Sequence, residues 1–218
     1  MPSSAFTSGL NRFAAWFVSH WLAMVVGIML VYSLLPFAAP VLMKAGATGA
    51  AQLIYQPYKL VCHTYGFRSF FLFGEQIAYA RGENDGDFQR ETGITLTPAG
   101  LLDARDFQGN DKMGYKVALC QRDIAIYLSI AINGIAFALV RRRARPLPWL
   151  WFILIGIIPI GLDGFSQLFS QYPLSLLPFR ESTWWLRVLT GSLFGLSVAW
   201  LGFPLIEETF SGAYADKR

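Results

Sequence analysis

The chain has 218 residues, 54% apolar and only 15% charged, with a mean hydropathy of +0.41 and a formal net charge of +4. Soluble domains carry about a quarter charged residues and distribute their apolar ones periodically, whereas here they stand in long uncharged blocks, which excludes an ordinary soluble enzyme. There is no basic stripe with interleaved aromatics, so nucleic acid is not an expected partner; the lipid bilayer is.

From Phe13 to Met43 there is no Asp, Glu, Lys or Arg. About 20 such residues cross a bilayer core as a helix, and a first span is predicted at 20–43. Residues 10–21, LNRFAAWFVSHW, read as an amphipathic or interfacial lead-in with Trp16 and Trp21 near the headgroups. His20 is read as an interfacial histidine rather than a functional one. The opening does not resemble a cleaved signal peptide, because the apolar run exceeds the usual h-region of about 7–15 residues.

Residues 51–73, AQLIYQPYKLVCHTYGFRSFFLF, are apolar and aromatic but carry Lys59, His63 and Arg68. They are too polar to span and are predicted to form a helix lying at the membrane surface or partly re-entrant. A polar insertion follows over 75–116. Its residues 75–112 hold eight of the chain's fourteen acids, which keeps this part out of lipid. RGENDGD and FQGNDKMG supply its turns, and 92–102, TGITLTPAGLL, reads as a strand or hairpin.

The stretch GYKVALCQRDIAIYL at 114–128 then leads into lipid through a thiol and an ion pair. Residues Ile124 to Val140 are uncharged and predict a second span at 124–140. The third span, 147–163, ends in IIPIGLDGFSQLF with Asp163 at its boundary. The fourth, 188–206, is preceded by LPFRESTWWLR, in which Ser182 or Thr183 is a candidate helix cap. The second and third spans are short and suit a thin or locally distorted bilayer. The expected architecture is an all-α integral membrane protein: one domain of four transmembrane helices with an interfacial helix and a small outer insertion.

Arg141-Arg142-Arg143 and Arg145, in the link between spans two and three, place that link in the cytoplasm by the positive-inside rule. Both termini then lie inside the cell membrane, consistent with Arg12 and Lys217-Arg218, and the segments 44–122 and 164–187 lie outside. Lys44, Arg180 and Arg187 pull against this orientation.

With that topology, Cys62, His63, Arg68, Cys120, Arg122, Asp123, Asp163, Gln167, Arg180 and Glu181 all fall on the outer side near a membrane boundary. Charges at such depth are costly unless paired or facing a polar cavity, which makes them candidates for function. Arg68, Arg122 and Arg180 with Asp123, Asp163 and Glu181 form either a neutral network or an anion site using bidentate arginines. Arg122–Asp123, Arg180–Glu181 and Asp163 would equally tie the outer helix ends together, with Asp163, Glu181 and Arg180 as candidate counter-charges for Arg122 and Asp123. The two cysteines admit three readings. A Cys62–Cys120 disulfide would contribute on the order of 4 kcal/mol by chain entropy. A zinc site would take Cys62, His63, Cys120 and a carboxylate such as Asp123 or Asp163, though the adjacent Cys-His pair lacks the usual ligand spacing. Free thiols are the third.

The ordered set CH…RSFFLFG (62–74), GNDKMGYKVALCQRDIAIY (109–127), LDGFSQL (162–168) and RESTWWLRVLTGSLFG (180–195) resembles a prokaryotic family of predicted membrane proteins catalogued as a domain of unknown function. The CQRD form resembles the branch found in Chloroflexota. In this chain Thr64-Tyr65-Gly66-Phe67 replaces the polar Gln-x-Pro-Glu that follows the Cys-His pair in the family, and Asp123 stands where other members have a second cysteine. The resemblance implies a four-span fold with an outer polar site and brings no activity with it.

Three functions are compatible with this pattern. The first is a membrane protein whose outer cluster binds a metal or an anionic headgroup. The second is a structural or assembly subunit of a larger membrane complex (electron-transport or photosynthetic), or a homo-oligomer. The third is an enzyme on a lipid-linked substrate, with His63 or Asp163 as base. Zinc is the one cofactor the residues suggest, and whether the protein is an enzyme stays open.

Overall fold

The computed structural model describes residues 4–95, 97–140, 142–171 and 173–215. Arg141 of the basic cluster and the closing Lys217-Arg218, which bear on the predicted orientation, lie outside the described residues. Among the described residues, four helical rods are long and apolar enough to cross a membrane: Asn11–Lys44, Gln121–Leu139, Trp149–Ser170 and Trp184–Ser211.

The first rod consists of α1 (Ser4–Leu34), a 3-10 turn at Leu35–Phe37 and α2 (Ala38–Lys44). The turn falls at Pro36, whose ring removes a backbone donor. Residues 10–21 are therefore no separate lead-in but part of α1. Trp21, expected at the headgroups, is 3% exposed; its Nε1 donates to Glu207 at 3.0 Å and its ring packs on Phe203. An indole with one polar tip satisfies that tip inside the bundle here. His20 stays exposed, stacked on Trp16.

The segment expected to form one surface helix over 51–73 divides. Helix α3 (Thr48–Val61) ends at Cys62, and β1 (Ser69–Leu72) begins after a tight turn. The helix stops at Cys62, which is extended, and Thr64 then turns the chain with φ of +50°, in the left-handed region that a β-branched residue rarely enters. The described residues of 92–102 hold no strand. Helix α4 (Asp87–Thr92) ends there and α5 (Pro98–Asp106) begins, because the Thr97 hydroxyl accepts from Gly100 N at 3.2 Å and Pro98 occupies the first turn. The strands lie elsewhere. β2 (Gly109–Asn110) and β3 (Gly114–Cys120) form a hairpin, and β1 pairs antiparallel with β3 in the order β1-β3-β2. Tyr79, Phe88 and Met113 of the insertion pack with Phe67 and Phe71, just before it, into a small core.

β3 passes without a loop into α6 (Gln121–Leu139), the second rod. The third comprises α7 (Trp149–Trp151), a π turn (Phe152–Ile157) and α8 (Ile158–Ser170); the wider turn stands directly before Pro159, which has no N–H to donate. This rod runs seven residues beyond the expected end at 163. Asp163, Gln167 and Ser170 are buried on one face, so the helix keeps partners for its polar residues while Leu162, Phe165 and Leu168 point outward. The fourth rod, α9 (Trp184–Ala215), packs against α6 and α8, and α1 packs against α6. Gly191 and Gly195 form a small-xxx-small stripe at the α6 contact. A Cβ on Gly195 would lie 2.3 Å from the Ile126 carbonyl oxygen, so only glycine permits this approach.

Candidate functional site

The switch from β3 to α6 sets the site. Cys120 closes the strand, opposite Ser69 of β1, and Asp123 stands in the first turn of α6. Cys62 ends α3, its N–H donating to Tyr58 O at 3.0 Å. One donor atom each from Cys62, Cys120 and Asp123 lie within 4.8 Å of one another. Both thiols are free. The Cys120 thiol donates to the Cys62 sulfur, which holds Cys62 below its ordinary value; the same bond, with burial, pushes Cys120 well above its own. Cys62 is thus the incipient thiolate of the pair. His63 stands apart from this donor group. Its ring stacks on Tyr65 at 5.6 Å, although it lines the same cavity.

Lys116 braces the turn that carries Cys62 and His63. It is 1% exposed, and its Nζ donates to the carbonyl oxygens of Thr64 and Arg105, each at 2.8 Å. Burial, then the charge of Lys59, pushes its ammonium down to about 7. An unfolded lysine holds its proton to about 10.4, so unfolding takes up a proton between these values. Stability therefore rises with pH across that window, and the contribution is gone below pH about 7. Thermal melts at pH 7 and pH 9.5 are expected to show a larger stabilisation with pH in the wild type than in Lys116→Met. Equal slopes would contradict this.

Two carboxylates gather the arginines. Asp163, its side chain 2% exposed, accepts from Arg122, from Arg180 Nη2 at 2.9 Å and from the Ser182 hydroxyl at 2.8 Å. Glu181, its side chain 5% exposed, accepts from Arg187, from Arg68 Nε at 3.0 Å, and from Gln167 and Gln171 at 2.9 and 2.8 Å; Arg81 lies 3.6 Å away. Of the candidate counter-charges of Arg122, Asp163 is the one it meets, whereas the sequence neighbours Arg122–Asp123 and Arg180–Glu181 form no ion pair among the described residues. Adjacent side chains diverge from their backbone, so each arginine reaches the carboxylate of another segment, and Asp123 has no ion-pair partner among the described residues. Ser182, a candidate helix cap by sequence, instead donates to Asp163, and it too ties the loop before α9 to α8.

Two arginines of this cluster are not legible as members of it in the sequence. Arg81 lies in the polar insertion like any solvated residue, yet its guanidinium sits over the rings of Phe67 and Phe179 at 5.4 and 5.3 Å. Arg187 looks like a flanking charge, yet it is 3% exposed and donates to Phe67 O and Gln121 Oε1, both at 3.3 Å. Gln121 is fully buried and donates to Ser69 O at 2.8 Å, which ties α6 to β1. Its position between Cys120 and Arg122 is the only sequence signal.

A cavity of about 730 Å³ opens among these groups. Its lining includes Cys62, Cys120 and Asp123 together with Arg68, Arg81 and Arg122. The expected site residues therefore converge, with Arg180 and Glu181 directly behind the lining arginines. The arrangement offers two thiols and a carboxylate to a cation and several guanidinium groups to an anion.

Residues 111–201 match the model of a family described as "Predicted membrane protein (DUF2085)". The matched segment contains Cys120, Arg122, Asp123, Asp163 and Glu181 and agrees with the resemblance carried by the motifs. The chain is also similar to "Uncharacterized protein MJ1492" of Methanocaldococcus jannaschii, at 24% identity over 195 residues, 87% of this chain and 94% of that protein. No solved structure matches.

Proposed function

We propose, taking residues 111–201 as a domain of this predicted membrane-protein family, that the protein holds a zinc-class divalent cation at Cys62, Cys120 and Asp123, on the outer face of the cell membrane. The carrying observation is that donors from two segments 58 residues apart in sequence meet within 4.8 Å in the wall of a cavity. Tetrahedral zinc binds thiolate at about 2.3 Å and carboxylate oxygen at about 2.1 Å, which sets the donors about 3.5 Å apart. The three close on a cation by about an ångström, a side-chain adjustment. Three protein ligands leave a fourth position facing the cavity, the pattern of a site that binds or activates something rather than a closed structural site. His63, on the same lining, is placed to supply a fourth ligand or a base.

The outer placement rests on Arg142, Arg143 and Arg145, which lie in the link at the opposite end of α6 and α8. A purely structural subunit would use the same helices but gives no reason for an open cavity lined by thiols and guanidinium groups.

Metal analysis with thiol counting tests this. Protein purified without chelator is expected to carry close to one zinc per chain, with both thiols unreactive until the metal is removed. Cys62→Ser, Cys120→Ser and Asp123→Asn each remove a ligand and lower retained zinc by about tenfold or more. Metal-free protein with two freely reactive thiols would sink the reading. Metal-free protein with no titratable thiol would replace it with a Cys62–Cys120 disulfide, which the contact between the two sulfurs would also permit.

A further inference from the structure

We infer that the same cavity seats a tetrahedral oxyanion: phosphate itself or the phosphate of an amphiphile, gripped by Arg68, Arg81 and Arg122. This goes beyond the metal reading and shares only the cavity with it.

Charge is the first reason. Five guanidinium groups (Arg68, Arg81, Arg122, Arg180 and Arg187) converge on Asp163 and Glu181, and Asp123 is the third carboxylate nearby. The excess is two positive charges at a membrane boundary, where uncompensated charge is expensive. A divalent cation held by two thiolates would leave this excess unchanged, since their charges cancel. A dianion neutralises it.

Unspent donors are the second. Arg68 binds Glu181 through Nε and Nη2, Arg81 binds Gln171 and Glu181 through Nη1, and Arg122 binds Asp163 through Nη2. That leaves Arg68 Nη1, Arg81 Nη2 and Arg122 Nη1 without a hydrogen-bond acceptor among the described residues, and all three residues line the cavity. The Nε atoms of Arg81 and Arg122 are buried without a partner, as is Thr64 Oγ1 in the same lining. The three Nη atoms are not among the buried unpartnered groups, so they stand open to an acceptor entering the cavity. Planar guanidinium forks match phosphate oxygens, and their rings of support are in place: Phe67 lies under both Arg68 and Arg81, each at 5.4 Å.

Size and lip are the third. A space of about 730 Å³ exceeds what a bare phosphate fills. Its rim includes Val61 and Leu168, 61% and 55% exposed, and Leu168 belongs to the membrane-crossing rod. A headgroup attached to acyl chains fits that geometry, and so does a phosphate arriving from water.

The experiment uses the full chain in two settings. Equilibrium dialysis in detergent measures binding of radiolabelled inorganic phosphate. Native mass spectrometry on protein in phosphatidylcholine nanodiscs containing a minor fraction of phosphatidate measures retained lipid. The wild type is expected to bind one or both, and Arg81→Gln and Arg122→Gln to weaken that binding by about tenfold or more, the loss of a charged hydrogen bond. Arg81→Gln keeps a folded reference, because Glu181 retains Arg68 and Arg187; its melting temperature and zinc content should match the wild type. Phosphate binding identifies a free anion, and retention of phosphatidate alone identifies a headgroup. No retention of either, or equal retention by the variants, overturns the inference. Zinc without any oxyanion overturns it and leaves the metal reading standing. Oxyanion retention by a chain that never carries zinc upholds it and removes the metal reading.

Discussion

Asp163→Ala is expected to destabilise the protein by about 3–5 kcal/mol, the largest effect of any single substitution at the site. The carboxylate is 2% exposed and is shared by Arg122, Arg180 and Ser182, so its loss strands two guanidinium groups and a hydroxyl at the membrane boundary. It also detaches three segments at once: the start of α6, the interior of α8 and the loop before α9. The measurement is a thermal melt in detergent with circular dichroism. Removing the stranded charges should restore much of the loss, because an apolar replacement of a whole buried network is often close to neutral. Asp163→Leu combined with Arg122→Met and Arg180→Met is therefore predicted to melt above Asp163→Ala. A loss under about 1 kcal/mol for Asp163→Ala, the size of an exposed pair, would show that water screens this cluster.

Gly195→Leu is the second large effect. Its first added carbon would stand 2.3 Å from the Ile126 carbonyl oxygen and 3.0 Å from the carbonyl carbon. Both are backbone atoms of α6, so no side-chain rotation relieves the clash and the helices must part. Overpacking of this kind costs about 1–3 kcal/mol. The separation also moves α6, which carries Arg122 and Asp123, away from Arg187 of α9, so metal retention should fall with stability. Gly202→Leu is the control, because nothing lies within 4 Å of its added carbon. Equal melting temperatures for the two variants would remove the small-residue stripe from the account.

The four rods were legible because the bilayer imposes its own length rule on the chain. Uncharged runs such as 13–43 and 188–206 must be helical in lipid whatever they pack against. Their ends were less legible. The third span was expected to stop at 163, since Asp163 is charged, and it continues to Ser170 because Asp163, Gln167 and Ser170 find partners within the protein. The three-stranded sheet was not legible at all. Its strands join residues 69–72 to 114–120, and the run from Tyr115 to Cys120 is buried on both faces, so it lacks the alternation that marks a half-exposed strand.

The candidate residues were legible one by one as polar groups beside apolar runs, and the structure places them in or beside the lining of one cavity. Their pairing was legible only in part: Arg122 with Asp163 was among the candidate pairs, whereas Arg68 and Arg187 with Glu181 were not. Charges adjacent in sequence cannot turn toward each other along a helix or strand, so Arg122 reaches Asp163, 41 residues away, and Arg68 reaches Glu181, 113 residues away. Arg81 and Lys116 escaped notice because a buried polar side chain differs from an exposed one only by what surrounds it.

The sequence by itself determined that this is a four-span membrane protein with two cysteines and a set of charges crowded at one membrane boundary. Hydropathy and charge counts are properties of residues in series, and lipid reads them directly. Only the tertiary structure decided that Cys62 meets Cys120 and Asp123, and that five arginines share two carboxylates. A β1–β3 register and a glycine stripe between α6 and α9 bring those groups together, and neither acts until distant parts of the chain have packed.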